Sequence, residues 1–318
     1  MEVIRRMSVE RKMRFVGAAF LAAALPVMAE QPSAKQKVLF QKLEAEIHEV
    51  DAQLDGVLGV AVEDLKTGQT ILLNPDEVFP QASSIKIAVL AELYHQNEQA
   101  MAGARGKAKL SDLYTMRAED LVAGSDIFVG LTPGVTVLTN RDLATMMVAV
   151  SDDSATNVLI ERLGFENVNA FLESSGLHAT RLRRKMMDLD AAKEGRENVS
   201  TPREMMMLLA KIYEGRLFSK ESTADFLKVL STHKGSAMLR GLPDDVVAAN
   251  KPGELEAVRT DSGIVFAKDR PFVLCVMTTY LKNERAGEDV ISRIAAAAWT
   301  TFDRLGRASD YGRVISLK

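Results

Sequence analysis

Ser83 and Lys86 stand three residues apart in the stretch "QASSIKIAVLAEL", Gln81 to Leu93. Residues three apart on a helix share a face, so the hydroxyl and the amine are predicted to meet. A serine at a helix start lies beside free backbone N–H groups and the positive end of the dipole, where an alkoxide or an oxyanion is stabilised. Ile85, Ile87, Ala88, Val89, Leu90, Ala91 and Leu93 make the segment apolar all round, the pattern of a helix buried on every side. A lysine desolvated there can lose its proton and serve as a base. The competing reading is a lysine that snorkels to water from the first turn. Ser-x-x-Lys is weak on its own, since about one match per chain of this size arises by chance. A second match, Ser231 to Lys234, is followed by "GSAMLRGLP" and not by an apolar helix, and reads as accidental.

Two further stretches carry chemistry-bearing residues. "SDDSATN", Ser151 to Asn157, interrupts a helical pattern between Val150 and Val158. Such a turn can aim a hydroxyl and a carboxylate, those of Ser151 and Asp153, into a cleft. The second, "NKPGELEAVRTDSGIVF", begins at Asn250 and places Lys251 and Gly253 in a strand. The lysine can attract a substrate carboxylate, and the glycine would let substrate approach the backbone. Pro252 argues for an edge strand, beside which a substrate can lie. Without those tasks the two stretches are a helix-to-helix turn and a hairpin end.

The elements that must position these residues follow from periodicity. The chain has 318 residues, a net charge of −3 and 47% hydrophobic residues, which suits a compact soluble protein of one or two domains and gives no basic surface for nucleic acid. The four histidines are far apart and His48-Glu49 lacks a second histidine at the zinc-protease offset, so neither metal nor cofactor is expected. Cys275 is the single cysteine, so no internal disulfide can form. Arg5, Arg6, Arg11, Lys12 and Arg14 precede the apolar run Phe15 to Val27 and then the small-residue end at Ala29. Those are the parts of a secretory signal cut after Ala29, which predicts a periplasmic or secreted protein with no stable membrane insertion; the competing reading is an uncleaved anchor, and the long leader leaves Met1, Met7 or Met13 as the start. "EQPSAKQ" reads as a linker. Leu39, Leu43, Ile47, Val50 and Leu54 predict a first amphipathic helix, and strands around "GVLGVAVEDL" and "QTILLN" a hairpin closed by Lys66 to Gly68. From Ser83 to about His233 the pattern is nearly all helical, with Asn140 and Thr201-Pro202 marking helix starts. Strand patterns return in "VVAANKP", "GIVFAK" and "PFVLCVMTTYL", before a last amphipathic helix in "VISRIAAAAWTTFDRL". The β-rich ends must pair in one sheet, because a lone hairpin is not stable, and the terminal helices cover it. The fold class is α+β, with residues 37–80 and 234–305 forming a sheet domain, 81–233 an inserted all-α domain, and the active site at their interface.

Taken in order, Ser83-x-x-Lys86, Ser151-Asp152-Asp153 and Lys251-Pro252-Gly253 resemble the three motifs of class A serine β-lactamases and related penicillin-binding proteins. "TRLRRKMMD" through "ENVSTP" looks like that family's active-site loop, and "AMLRGLP" like the segment leading into the third motif. The resemblance spans about Lys37 to Leu305 and implies an antiparallel five-stranded sheet. It implies Ser83 as the nucleophile of an acyl-enzyme, Lys86 as its proton acceptor and Ser151 as the relay to the leaving nitrogen. Lys251 would hold the substrate carboxylate. The backbone N–H groups of Ser83 and Glu254 would form the oxyanion hole, each worth about 3–4 kcal/mol. Gly253 and Asp153 would line the substrate. The implied partner is a small β-lactam or a peptidoglycan-derived substrate, and a monomer is expected. The implied activity is β-lactam hydrolysis, hence antibiotic resistance. The alternatives are a D,D-peptidase or amidase acting on peptidoglycan and a penicillin-binding module that does not turn over.

The chain departs from that pattern at three positions. Met186 stands where the family's loop glutamate activates the deacylating water, leaving Asp188, Asp190 or no base. Both aspartates are expected to cap or to pair with Arg183 and Arg184. Asp153 stands where asparagine is usual, and a carboxylate near Lys86 favours its charged form. Pro252 stands where a hydroxyl residue is usual.

Overall fold

The computed structural model describes residues 33–309 and 311–314; the leader and its cleavage site lie outside them. The chain opens with helix α1 (Ala34–Gln53), strands β1 (Val57–Asp64), β2 (Thr70–Leu73) and β3 (Phe79–Pro80), and helix α2 (Lys86–Met101). Strands β4 (Leu113–Thr115) and β5 (Val137–Thr139) precede helices α3 (Asn140–Ala149), α4 (Asp153–Leu163), α5 (Phe165–Ser174) and α6 (Leu189–Lys193). After β6 (Val199–Ser200) come α7 (Pro202–Tyr213), α8 (Lys220–Leu230) and α9 (Ala237–Arg240). Strands β7 (Ala248–Leu255), β8 (Val258–Val265), β9 (Phe272–Thr279) and helix α10 (Glu284–Arg307) complete it.

Five of the strands form one sheet in the order β2-β1-β9-β8-β7, antiparallel throughout. The two ends of the chain therefore meet at the β1–β9 pair, as a hairpin too short to stand alone requires. β7 is an edge strand, which is where Pro252 is tolerated. α1 starts at a capping box, Ser33 with Gln36, so its first three residues take the end of the expected linker. Its Phe40, Leu43, Ile47 and Val50 and the Ile291, Ile294, Ala298 and Phe302 of α10 recur at helical spacing and bury one face of the sheet. Phe302 stacks on Phe272 at 4.3 Å and meets Phe40 edge-on at 5.8 Å.

α2 and the helices around it make the second core, against the opposite face. The helical pattern after Ser83 is not continuous. Between Met101 and Asn140 lie β4, β5 and 3₁₀ turns but no α-helix. Gly103, Gly106, Gly124, Gly130, Pro133 and Gly134 in that span each disfavour helix. Helix α3 is capped by Thr139, in a box with Asp142, and not by Asn140, which is its first residue. α7 begins as read, with Thr201 as cap and Pro202 in the first turn. β8 begins at Val258, five residues before the expected Gly263. Thr260, Asp261 and Ser262 hid that start, being polar residues that are nonetheless buried.

Candidate active site

Ser83 lies in a 3₁₀ turn, Ala82–Ile85, that runs directly into α2, whose first residue is Lys86. The hydroxyl and the amine, expected to meet directly, make no hydrogen bond to each other; Ser151 Oγ bridges them. The turn is pinned from both sides. The Gln81 backbone N–H donates to Asn198 O at 2.8 Å, and Ser84 Oγ donates to Lys251 O at 3.0 Å and pairs with Thr260 Oγ1 at 2.7 Å. Ala82 adopts a left-handed φ of 46°, a conformation that costs an alanine about 1 kcal/mol and that this pinning enforces. Gly253 has a packing role of its own. A Cβ there would lie 2.4 Å from Gln81 O and 2.9 Å from Ser84 N, so its bareness lets β7 press against the nucleophile turn.

Lys86 does not snorkel to water: it is fully buried. Its amine donates to Asp153 Oδ1 at 2.6 Å, Ser151 O at 2.7 Å and Ser151 Oγ at 3.0 Å. Ser151 Oγ in turn donates to Ser83 Oγ at 2.9 Å. Ser151 reaches this place because the α3–α4 turn carries it at a left-handed φ of 56°, and Asp152 beside it caps α4 through the Ala155 N–H. Burial pulls the Lys86 amine below its ordinary pKa, while the Asp153 carboxylate opposes that.

The other wall is the sheet edge. Lys251 is 2% exposed, and its amine donates to Pro252 O at 3.0 Å. Burial drives its pKa well down, the charge on Lys86 pushes the same way, and Asp261 opposes. Lys234, accidental by its sequence context, lines the same cleft of about 340 Å³ as Ser83, Ser151, Lys251 and Glu254. The reading of Ser231 stands apart from this: it is the C-cap of α8. Lys234 donates to Leu230 O at 2.9 Å, and burial pushes its pKa down to about 8. Behind both lysines lies the fully buried Asp261, which accepts from Asn250 Nδ2 at 2.8 Å and from Met238 N at 3.0 Å. The Ser231–Lys234 spacing drew notice to Lys234 but its context gave no reason to keep it, and nothing local marked Asp261; only the tertiary fold brings Lys234 to the cleft of Ser83.

A third flank is the loop 181–200. Met186 is buried and lines a smaller cavity of about 140 Å³ with Ser83, Asp153, Met187, Leu189, Glu254 and Leu255. Its backbone is held by Asn157, which accepts from Met186 N at 2.8 Å and donates to Met186 O at 3.0 Å. Asp188 caps α6 through the Ala191 N–H, and the exposed Asp190 pairs with Lys193 at 3.1 Å. Neither pairs with Arg184, whose partner is Glu197 at 2.8 Å.

The sheet with its flanking helices has the fold of class A β-lactamases. A family model described as the beta-lactamase enzyme family matches residues 42–302, and this chain belongs to that family. An imipenem-hydrolyzing beta-lactamase of Enterobacter cloacae is 29% identical over 82% of this chain and 88% of its own. A beta-lactamase of Streptomyces fradiae is 29% identical over 90% of this chain and 94% of its own. The crystal structure of a beta-lactamase from Chitinophaga pinensis superposes with a TM-score of 0.75 at 28% identity, over 81% of this chain and 98% of that one. No helix among the described residues is long and apolar enough to cross a membrane.

Proposed function

We propose that this chain is an exported serine hydrolase that opens β-lactam amides through an acyl-enzyme on Ser83. The observation that carries the reading is the hydrogen-bonded chain Ser83–Ser151–Lys86 facing two buried lysines across one cleft. In this reading Ser83 Oγ attacks the lactam carbonyl and Lys86 receives its proton. The C–N bond breaks, and Ser151 passes a proton to the leaving nitrogen. Lys251, with Lys234 beside it, attracts the substrate carboxylate. The Ser83 and Glu254 backbone N–H groups hold the oxyanion. The reading takes residues 37–80 and 234–305 as one domain and 81–233 as another, with the cleft at their junction. Export rests on the leader, outside the described residues.

The Met186 flank favours slow release. The loop brings no carboxylate to the water at the ester, since its cavity-lining side chains are Arg184, Met186, Met187, Leu189 and Asn198; the two acids of that cavity come from other elements, Asp153, which is bound to Lys86, and Glu254 of β7. This observation also supports the second reading, a penicillin-binding module or a D,D-peptidase. Intact mass followed over time after mixing with a penicillin tests both. A single adduct that forms fast and decays slowly is expected. No adduct at any time refutes the acyl-enzyme. Turnover of D-Ala-D-Ala peptides with a stable penicillin adduct selects the peptidase.

A further inference from the structure

The hydrogen-bond chain at Ser83 has a direction. An ammonium has three protons and no lone pair. Lys86 finds three acceptors, Asp153 Oδ1, Ser151 O and Ser151 Oγ, so all three protons are committed. Ser151 Oγ, which accepts from Lys86, gives its own proton to Ser83 Oγ at 2.9 Å. Ser83 is therefore receiving a hydrogen bond at the atom that must give a proton away to become a nucleophile. The order Lys86→Ser151→Ser83 is the reverse of proton abstraction.

Asp153 maintains this order. It is the one carboxylate in contact with the Lys86 amine among the described residues. Asp152 also faces Lys86, but its carboxylate is occupied by the N–H groups of Phe128 and Ala155, at 2.9 Å each. From the other wall Lys251 repels the charge on Lys86, and Lys234 and Asp261 lie behind Lys251. We propose that Asp153 is a positioning residue that keeps Lys86 an ammonium at neutral pH, so that Ser83 is acylated only as Lys86 sheds that proton under alkaline conditions. The proposal rests on the acyl-enzyme reading above.

Once the Lys86 proton has left to water or hydroxide, the chain can reverse. Ser83 then donates to Ser151, and the Ser151 proton passes to the free lone pair of Nζ. The Ser83 Oγ–carbon bond forms, the amide C–N bond breaks, and the proton on Lys86 returns through Ser151 to the leaving nitrogen.

Asp153→Asn keeps the shape and an acceptor oxygen but removes the charge. The rate of adduct formation is measured from about pH 5 to about pH 10 in both proteins. The native rate should rise toward alkaline pH. In Asp153→Asn the rising limb should move down by about one unit or more, giving about ten-fold faster acylation at neutral pH. A merely structural role would change the height of the limb and not its position. Asp153→Ser, also uncharged, substitutes if the asparagine variant does not fold. The second readout is the pH titration of the Lys86 ε-carbon by ¹³C NMR, with the signal identified by its loss in Lys86→Arg. It should titrate at lower pH in Asp153→Asn. An unmoved limb or an unmoved Lys86 titration overturns the proposal. If neither protein forms an adduct at any pH, the acyl-enzyme reading falls, and the Lys86 titration alone still decides whether Asp153 holds the proton.

Discussion

Lys251 lines the cleft of Ser83 and Lys86 lies behind its helical wall, joined to Ser83 through Ser151; the two are almost equally buried, at 2% and 0% exposure. The helical wall gives Lys86 a carboxylate and two further acceptors. The sheet edge gives Lys251 a single carbonyl, and it places a second buried lysine, Lys234, beside it. Among the described residues no carboxylate touches either Lys251 or Lys234, and Asp261 acts on them only at longer range. Burial alone therefore does not decide what a buried lysine is for. An acid in contact favours the ammonium; without one, the charge has no partner inside the protein.

Both walls act on one hydroxyl, so the largest effect should come from removing it. Ser83→Ala should abolish the adduct with a reactive β-lactam, measured by intact mass, while Ser231→Ala leaves it unchanged. An adduct surviving in Ser83→Ala would mean that the two walls serve some other group.

The Met186 flank turns no acid of its own loop into the cavity beside Ser83. Met186→Glu should add a general base there and raise the steady rate on a chromogenic cephalosporin by about 10²-fold or more, with the initial burst unchanged. Asp188→Asn and Asp190→Asn should leave that rate as it is, because their carboxylates cap α6 and pair with Lys193. Fast turnover by the native protein, lost in either aspartate variant, would move the base to that residue.

The smallest effects concern stability, and the walls should differ in sign. The Lys234 amine is pushed down to about 8 from 10.5. Between those values the unfolded chain binds a proton that the folded chain does not. The penalty on folding is thus full below about 8 and fades as pH rises toward 10.5, so native stability rises across that window. Lys234→Met should stabilise by about 2 kcal/mol at neutral pH, with the gain shrinking in alkali. Lys86→Met should instead destabilise by about 1–3 kcal/mol, since it leaves the Asp153 and Ser151 acceptors without their donor. Thermal melts across the pH range give both signs, and equal signs would erase the distinction.

Much of the helical wall was legible locally. An apolar run with one lysine announced a buried helix, and "SDDSATN" announced the turn that carries Ser151 and Asp153. Pro252 marked β7 as an edge. The sheet wall was legible only in part. Lys234 follows a helix end and precedes a glycine, so nothing nearby distinguishes it from a solvated lysine. Asp261 sits in a strand that its own polarity disguised. Gly253 was noticed for the right property, a missing side chain, but the neighbour that needs the space is the backbone at Gln81 and Ser84.

The sequence by itself determined the helix of Lys86, the turn that carries Ser151 and the strand character of both chain ends, because periodicity, turn residues and short-range spacing act within a few residues. Tertiary structure decided which charges meet. Lys86 joins Asp153 across 67 positions, and Lys251 is left with a carbonyl of its own strand. Charges in water interact weakly at any spacing, so their pattern in a sequence carries little energy. Only burial, which removes water and fixes contact distances, turns a lysine's neighbours into its protonation state.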